Sequence, residues 1–278
     1  MFMDVFSTLI KGPFEITIDN FVDATHKKEP YFQKDSKGKE KHYAICPECG
    51  NPIQIINLFG QEYEEQITKK RNTHARHTGK DIKDLSAHNQ LKYLSCPLHK
   101  TNSFSCKKIR ENEIYNSNLL SLIKNNTYKI INDIREITGI NFSKDYLKEI
   151  IQTYTNSGHY SYIHTHKFNI PYSILFTSGS LDLFGRFILS DNGISDEIER
   201  IINCSSNFKV KIIKDDKENI SKKIAKTSSK YLHLILKFSH HNVEAKTLLL
   251  SILEYEDTVD NAITLGSTTI TMKPFIYD

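Results

Sequence analysis

Apolar and polar residues alternate through "PFEITIDNFVDAT" (Pro13 to Thr25), the pattern of a strand with one face in a core. "NPIQIINLFG" (Asn51 to Gly60) reads as a second strand. The polar, turn-rich "HKKEPYFQKDSKGKEKHY" before it reads as a long hairpin loop. Gln61 to Asn72 is charged and expected at the surface. From Asp84, "DLSAHNQLKYLS" has helical composition, with an acidic residue placed to cap its start.

Between Asn116 and Tyr154 the period changes. "NLLSLIKNNTYKIINDIREITG" carries apolar residues at helical spacing and stops at Gly139, a usual C-terminal signal. "NFSKDYLKEIIQTY" starts at Ser143, a good N-cap, and puts Tyr146, Leu147, Ile150 and Ile151 on one stripe. Neither helix shows a basic face, so the hairpin carries little sign of DNA reading.

After Gly158 the pattern becomes strand-like. The expected strands are "YSYIHTH", "PYSILFTS", "LFGRFILS", "FKVKIIK", "YLHLILKFS", "TLLLSILEY" and "STTITMKPFI". The helical "ISDEIERIINC" interrupts them, with Ser195 or Asp196 at its cap. Few crossovers are long enough for parallel pairing, so a largely antiparallel sheet follows.

With 278 residues the chain can bury a real core, near the length at which cores divide. No apolar run, "TLLLSIL" included, approaches the ~20 residues a membrane span needs. The start has an early Asp4 and no basic n-region, so no secretory signal is expected. A cytoplasmic location follows, where cysteine pairs point to metal more than to disulfide. Charge is uneven: residues 1–110 hold 18 Lys and Arg against 13 Asp and Glu, and the remainder 19 against 20. The basic bias is weak support for a nucleic-acid partner, because a solvated lysine-rich surface looks the same.

The chemistry concentrates in the same part. "CPECG" supplies Cys46 and Cys49 from one tight turn, with Pro47 shaping it and Gly50 supplying a backbone conformation closed to most residues. "THARH" supplies His74 and His77, both rings brought round by a turn or the beginning of a helix. "CPLH" adds Cys96 and His99, with His88 and Cys106 nearby, so there are more ligands than one ion can use. Two arrangements fit a tetrahedral Zn2+. Either Cys46, Cys49, His74 and His77 close it, or Cys96 replaces one histidine; the first is preferred. In the first, His88, Cys96, His99 and Cys106 are bystanders or a second, weaker site. Four protein ligands leave no position for water, so the zinc is structural.

A strand, Tyr43-x-x-Cys46-Pro47-x-Cys49-Gly50, a hydrophobic strand and His74-x-x-His77 together resemble the N-terminal zinc module of the competence protein CoiA-like family, over about residues 14–80. That family has "HFAH" where this chain has "HARH". The resemblance implies a zinc fold and a role with incoming DNA, and many such proteins carry a nuclease-like domain downstream. Here the insert is long and acidic at "EYEE", and no later segment matches a nuclease core.

A Mg2+ nuclease needs an acid, then an acid-x-Lys on the next strand. Asp182, Glu244 and Lys246 are the nearest candidates, at long spacing. Glu254 and Glu256 of "LEYED" can share a strand face, although an acidic loop with Asp257 and Asp260 explains them as well. In "HYSYIHTHK", His164 and His166 would share a strand face, with His159 before them, for metal or for acid–base work; solvent-facing histidines are the plainer reading. His240 and His241 sit at a turn, and Cys204 is expected in the core.

The sequence thus yields an α+β protein. It comprises a zinc-ribbon-like module (residues 1–112), a helical hairpin (113–157) and a mixed, mainly antiparallel sheet domain with helices (158–278). The expected role is recognition of DNA, RNA or a partner protein, with Lys34 to Lys41, Lys69, Lys70, Arg71 and Arg76 on phosphates. DNA uptake or mobile-element defence comes from the family resemblance, and no catalytic residue is assigned. A metal-dependent nuclease and an accessory subunit without nucleic acid are the competing readings.

Overall fold

The computed structural model describes residues 3–60, 73–100, 102–214 and 220–277, which form two compact units. The chain is α+β, with antiparallel strand pairing throughout the described sheets.

The first unit takes Met1–Asn102 with Lys273–Ile276. It opens with the ribbon β1 (Val5–Phe6) and β2 (Phe14–Glu15), followed by helix α1 (Ile18–Thr25). "PFEITIDNFVDAT" therefore divides: its alternation holds for two residues, after which Thr17 caps α1 by accepting from the Asn20 N–H. Helical spacing of Phe21 and Thr25 then buries one face. The four-stranded sheet runs β3 (Phe32–Lys34), β4 (Glu40–Ile45), β5 (Pro52–Ile56), β6 (His74–His77). The turn between β3 and β4 is closed by Asp35, whose carboxylate accepts from the Lys37 and Lys39 N–H groups. Ala44, Ile53, Ile55 and Ala75 bury one face of this sheet. Helix α2 covers only Gln90–Leu94, because Asn89, not Asp84, caps it. Gln61 to Asn72, including Lys69, Lys70 and Arg71, lie outside the described residues.

The second unit spans Ser103–Met272 with Tyr277. The long helical pattern breaks at Asn126 into α3 (Glu113–Asn125) and α4 (Thr127–Thr138). Gly139, in the left-handed region at φ 64°, stops α4. After β7 (Ile140–Asn141), Ser143 caps α5 (Lys144–Asn156) as expected. Two expected strands are not strands. "YSYIHTH" forms a 3-10 turn at His159–Ser161 followed by turns. "PYSILFTS" is helix α6 (Ile170–Thr177), with Pro171 in its first turn and Ile170 through Leu175 all buried. A helix buried on every side shows no polar stripe, so its periodicity cannot be told from that of a buried strand.

Then come β8 (Leu181–Asp182), β9 (Phe187–Ile188), α7 (Ser195–Ile202), β10 (Phe208–Lys214), β11 (Ile220–Lys226), β12 (His233–Asn242), β13 (Thr247–Tyr255) and β14 (Ile263–Thr271). They make two antiparallel sheets, in the orders β10-β11-β9-β7 and β14-β13-β12-β8. β13 alternates strictly, burying Leu248, Leu250 and Ile252, and Leu236 and Phe238 of β12 lie opposite Ile252 and Leu250 in the core. The helices expected as a separate hairpin belong to this same unit.

Candidate metal centre

Four side chains of the first unit converge. Cys46 directly follows β4 and is 1 % exposed, and its carbonyl accepts from the Gly50 N–H at 2.9 Å to close the knuckle. Gly50 takes φ 72°, where a side chain is strained, so the glycine of "CPECG" has the expected function. Cys96 follows α2 and is 6 % exposed; its carbonyl accepts from the His99 N–H at 2.9 Å. His77 is the last residue of β6.

The sulfurs of Cys46, Cys49 and Cys96 and a ring nitrogen of His77 all lie within 4.8 Å of one another. Cys46 Sγ to Cys96 Sγ is 3.7 Å, and Cys49 Sγ to His77 Nε2 is 3.3 Å. A tetrahedral zinc with its usual bond lengths requires sulfur–sulfur edges of about 3.8 Å and sulfur–nitrogen edges of about 3.6 Å. The two measured edges match that polyhedron within a few tenths of an ångström.

Protonation points the same way. The Cys49 thiol is held well below its ordinary range, first by a hydrogen bond from Cys46 and then by one from Cys96. Cys46 is pushed up chiefly by its bond to Cys49, and Cys96 by those to Cys46 and Cys49. One thiolate is tolerated, while the second and third charges are opposed by the first and by burial. A divalent cation held by these side chains would reverse that opposition, because a coordinating thiol is deprotonated.

Sequence reasoning missed Asn51, which is 1 % exposed. Its Nδ2 donates to Cys49 Sγ at 3.2 Å and to the Asn89 carbonyl at 3.2 Å, and its Oδ1 accepts from the Asn89 N–H. Asn89 also caps α2, so one side chain ties the knuckle to the helix that leads to Cys96. Its only mark in the sequence is a polar residue directly after the knuckle glycine, at the edge of a buried strand. Tyr93 packs edge-on to both His77 and His99, at ring distances of 5.3 Å and 3.9 Å.

His74 is placed elsewhere. Strand β6 alternates, so the x-x spacing that unites two rings on a helix separates them here. Ala75 and His77 share the inner face; His74 and Arg76 share the outer one, opposite Ile56 and Gln54. The geometry therefore fits the Cys96-containing set and not the set closed by both histidines. His88 Nε2 lies 3.0 Å from Gln90 Oε1, and Cys106 belongs to the second unit, where its carbonyl accepts from His164 Nδ1. Among the described residues no second group of three or more ligating side chains converges.

The nuclease candidates are not assembled. Asp182 caps its own turn at Phe184, Glu244 is exposed in the turn after β12, and Glu254 is buried between Ser205 and Asn207, which both donate to it. His164 and His166 lie in turns and not on one strand face. His241 Nδ1 accepts from the Phe104 N–H, and Cys204, expected in the core, is exposed. No protein-family model, no curated protein and no solved structure matches this chain.

Proposed function

We propose that Cys46, Cys49, His77 and Cys96 hold a structural Zn2+, and that the module so formed binds nucleic acid through the outer face of its sheet. The convergence of three thiols and one imidazole on the edges of a zinc tetrahedron carries the first part. With four protein ligands the ion has no open position. It supplies folding energy to a small core and no chemistry.

The second part is supported by what the outer face presents. Tyr43, Gln54 and Arg76 form one row across β4, β5 and β6. They line an open hollow of about 650 Å³ with Lys41 and Lys80, and with Asp35, which sits 3.8 Å from Lys41. Three cations around an aromatic ring suit phosphate contacts flanking a base. The likeness of the Tyr43-to-Gly50 knuckle to CoiA-like modules makes DNA in uptake or mobile-element defence the favoured setting. The free cysteines suit a reducing, cytoplasmic compartment. No described helix is long and apolar enough to cross a membrane.

Salt titration of oligonucleotide binding tests the reading. Affinity should fall steeply as salt rises, and the Arg76→Ala, Lys41→Ala double variant should flatten the slope by about two charges. An unchanged slope would refute the assignment to this face. Stable capture of a protein from nuclease-treated lysate, without nucleic-acid affinity, would favour the accessory-subunit reading.

A further inference from the structure

The second unit carries an open sheet face that neither the metal centre nor the zinc module's groove uses. In the β10-β11-β9-β7 sheet, Lys211 pairs with Lys223, Lys223 with Phe187, and Phe187 with Asn141. Directly opposed residues share a face, so these side chains form one row across all four strands. Alternation adds Lys209, Ile213, Ser221 and Ala225 to the same face, and none of these residues is buried. The opposite face is core at Phe208, Ile224, Ile188 and Ile140, each at most 5 % exposed, while Ile212 and Ile220 at the far end of the β10–β11 pair are exposed.

The open face is basic and has one flat ring at its centre. Three of the six lysines of β10 and β11, Lys209, Lys211 and Lys223, lie on this face, and neither strand contains an acidic residue. Glu199 engages Lys222 on the covered side, at 2.6 Å, and leaves the row itself without a carboxylate. Lys223 Nζ stands 5.6 Å from the centre of the Phe187 ring. At the β7 edge, Asn141 opens into a hollow of about 570 Å³ lined also by Asn132, Arg135 and Asn192 and by the carboxylates of Glu136 and Asp191.

We propose that this face is a platform for single-stranded nucleic acid. A base stacks on Phe187, the sugar–phosphate chain runs along Lys209 and Lys211, and the next base enters the hollow beside Asn141. Rotation of Lys223 frees the ring and leaves its ammonium beside the backbone. A duplex is a poor occupant, because its base faces are hidden in the stack. An acidic protein or an anionic lipid surface would use the lysines and leave the ring without a role. The proposal goes beyond the zinc-module reading and does not rest on it.

The test uses the full zinc-loaded chain and a fluorescent oligothymidine of ~15 nucleotides, with a duplex of equal length as comparison. Phe187→Leu, which keeps an apolar side chain, should weaken single-strand binding about tenfold and leave duplex binding unchanged. Lys211→Glu, at an exposed position, should weaken single-strand binding with no change in melting temperature, so a folding defect in the first variant cannot decide the matter. Wild-type affinity in both variants would overturn the platform, as would failure of the chain to bind the oligothymidine at all. If these variants lose affinity while the Lys41 and Arg76 variants do not, the platform stands and the zinc-face reading fails. The converse result ends the platform alone.

Discussion

Cys96→Ser is the sharpest perturbation of the metal centre. Cys96 Sγ lies 3.7 Å from Cys46 Sγ, and the residue is 6 % exposed, so the hydroxyl of serine takes the sulfur's place without new access for water. Structural zinc contributes on the order of 10–16 kcal/mol of binding free energy to the fold it closes. An even division over four ligands puts the loss of one thiolate at about 3–4 kcal/mol, or a few hundredfold in zinc affinity. For a unit of this size the same loss lowers the melting temperature by roughly 10–25 °C. Elemental analysis after dialysis against a competing chelator should find one zinc per wild-type chain and well under half an equivalent in the variant. Thermal melts with and without chelator should converge for the variant and remain far apart for the wild type. His74→Ala serves as the contrast and should keep both the metal and the melting temperature. Full zinc retention in Cys96→Ser, together with metal loss in His74→Ala, would refute the geometry from which these numbers come.

The buried His164 and the half-buried His166 and His241 make stability depend on acid. Burial lowers His164 and His241 to about 4 and His166 to about 3, below the ordinary 6.5. The unfolded chain therefore binds protons first, and stability present above pH ~6.5 is lost as pH falls toward 4, by at most about 3 kcal/mol for His164. Amide hydrogen exchange in the second unit at pH 7 and pH 5 checks it; equal protection would contradict the sign. Gly139→Ala should destabilise by about 1–3 kcal/mol, since φ is 64° and the new Cβ would meet Ile194 Cγ2 at 2.7 Å. Denaturant melts showing no change would contradict it. Tyr154→Phe should cost only about 1 kcal/mol by the same measurement, because Thr165 and Ser173 keep a hydrogen bond to each other at 2.9 Å once the phenol leaves. A loss several times larger would mean that the phenol does more than join that network.

Local chemistry was legible along the chain. The glycine of "CPECG" is bound to a left-handed turn, Ser143 caps its helix, Gly139 ends one, and the period-two runs of β10, β12 and β13 are strands. Each of these depends on residues within a turn or two of one another, which is the range over which side-chain size, φ preference and periodicity act. Hence the α+β class and the concentration of candidate metal donors in the first hundred residues could be read without coordinates.

The fourth ligand could not. His74 and His77 are equal in the sequence, and only the pairing of β6 with β5 turns one inward and the other outward. Cys96 joins Cys46 across 50 positions because Asn51 locks α2 to the knuckle, a hydrogen-bond relation with no sequence period. Helix α6 was hidden for a related reason: burial on all sides erases the polar face that distinguishes a helix from a strand. What the chain determined alone is the set of donors and the short elements that carry them. Which donors meet was decided by strand register and helix docking, because convergence in space depends on contacts between segments far apart in the sequence.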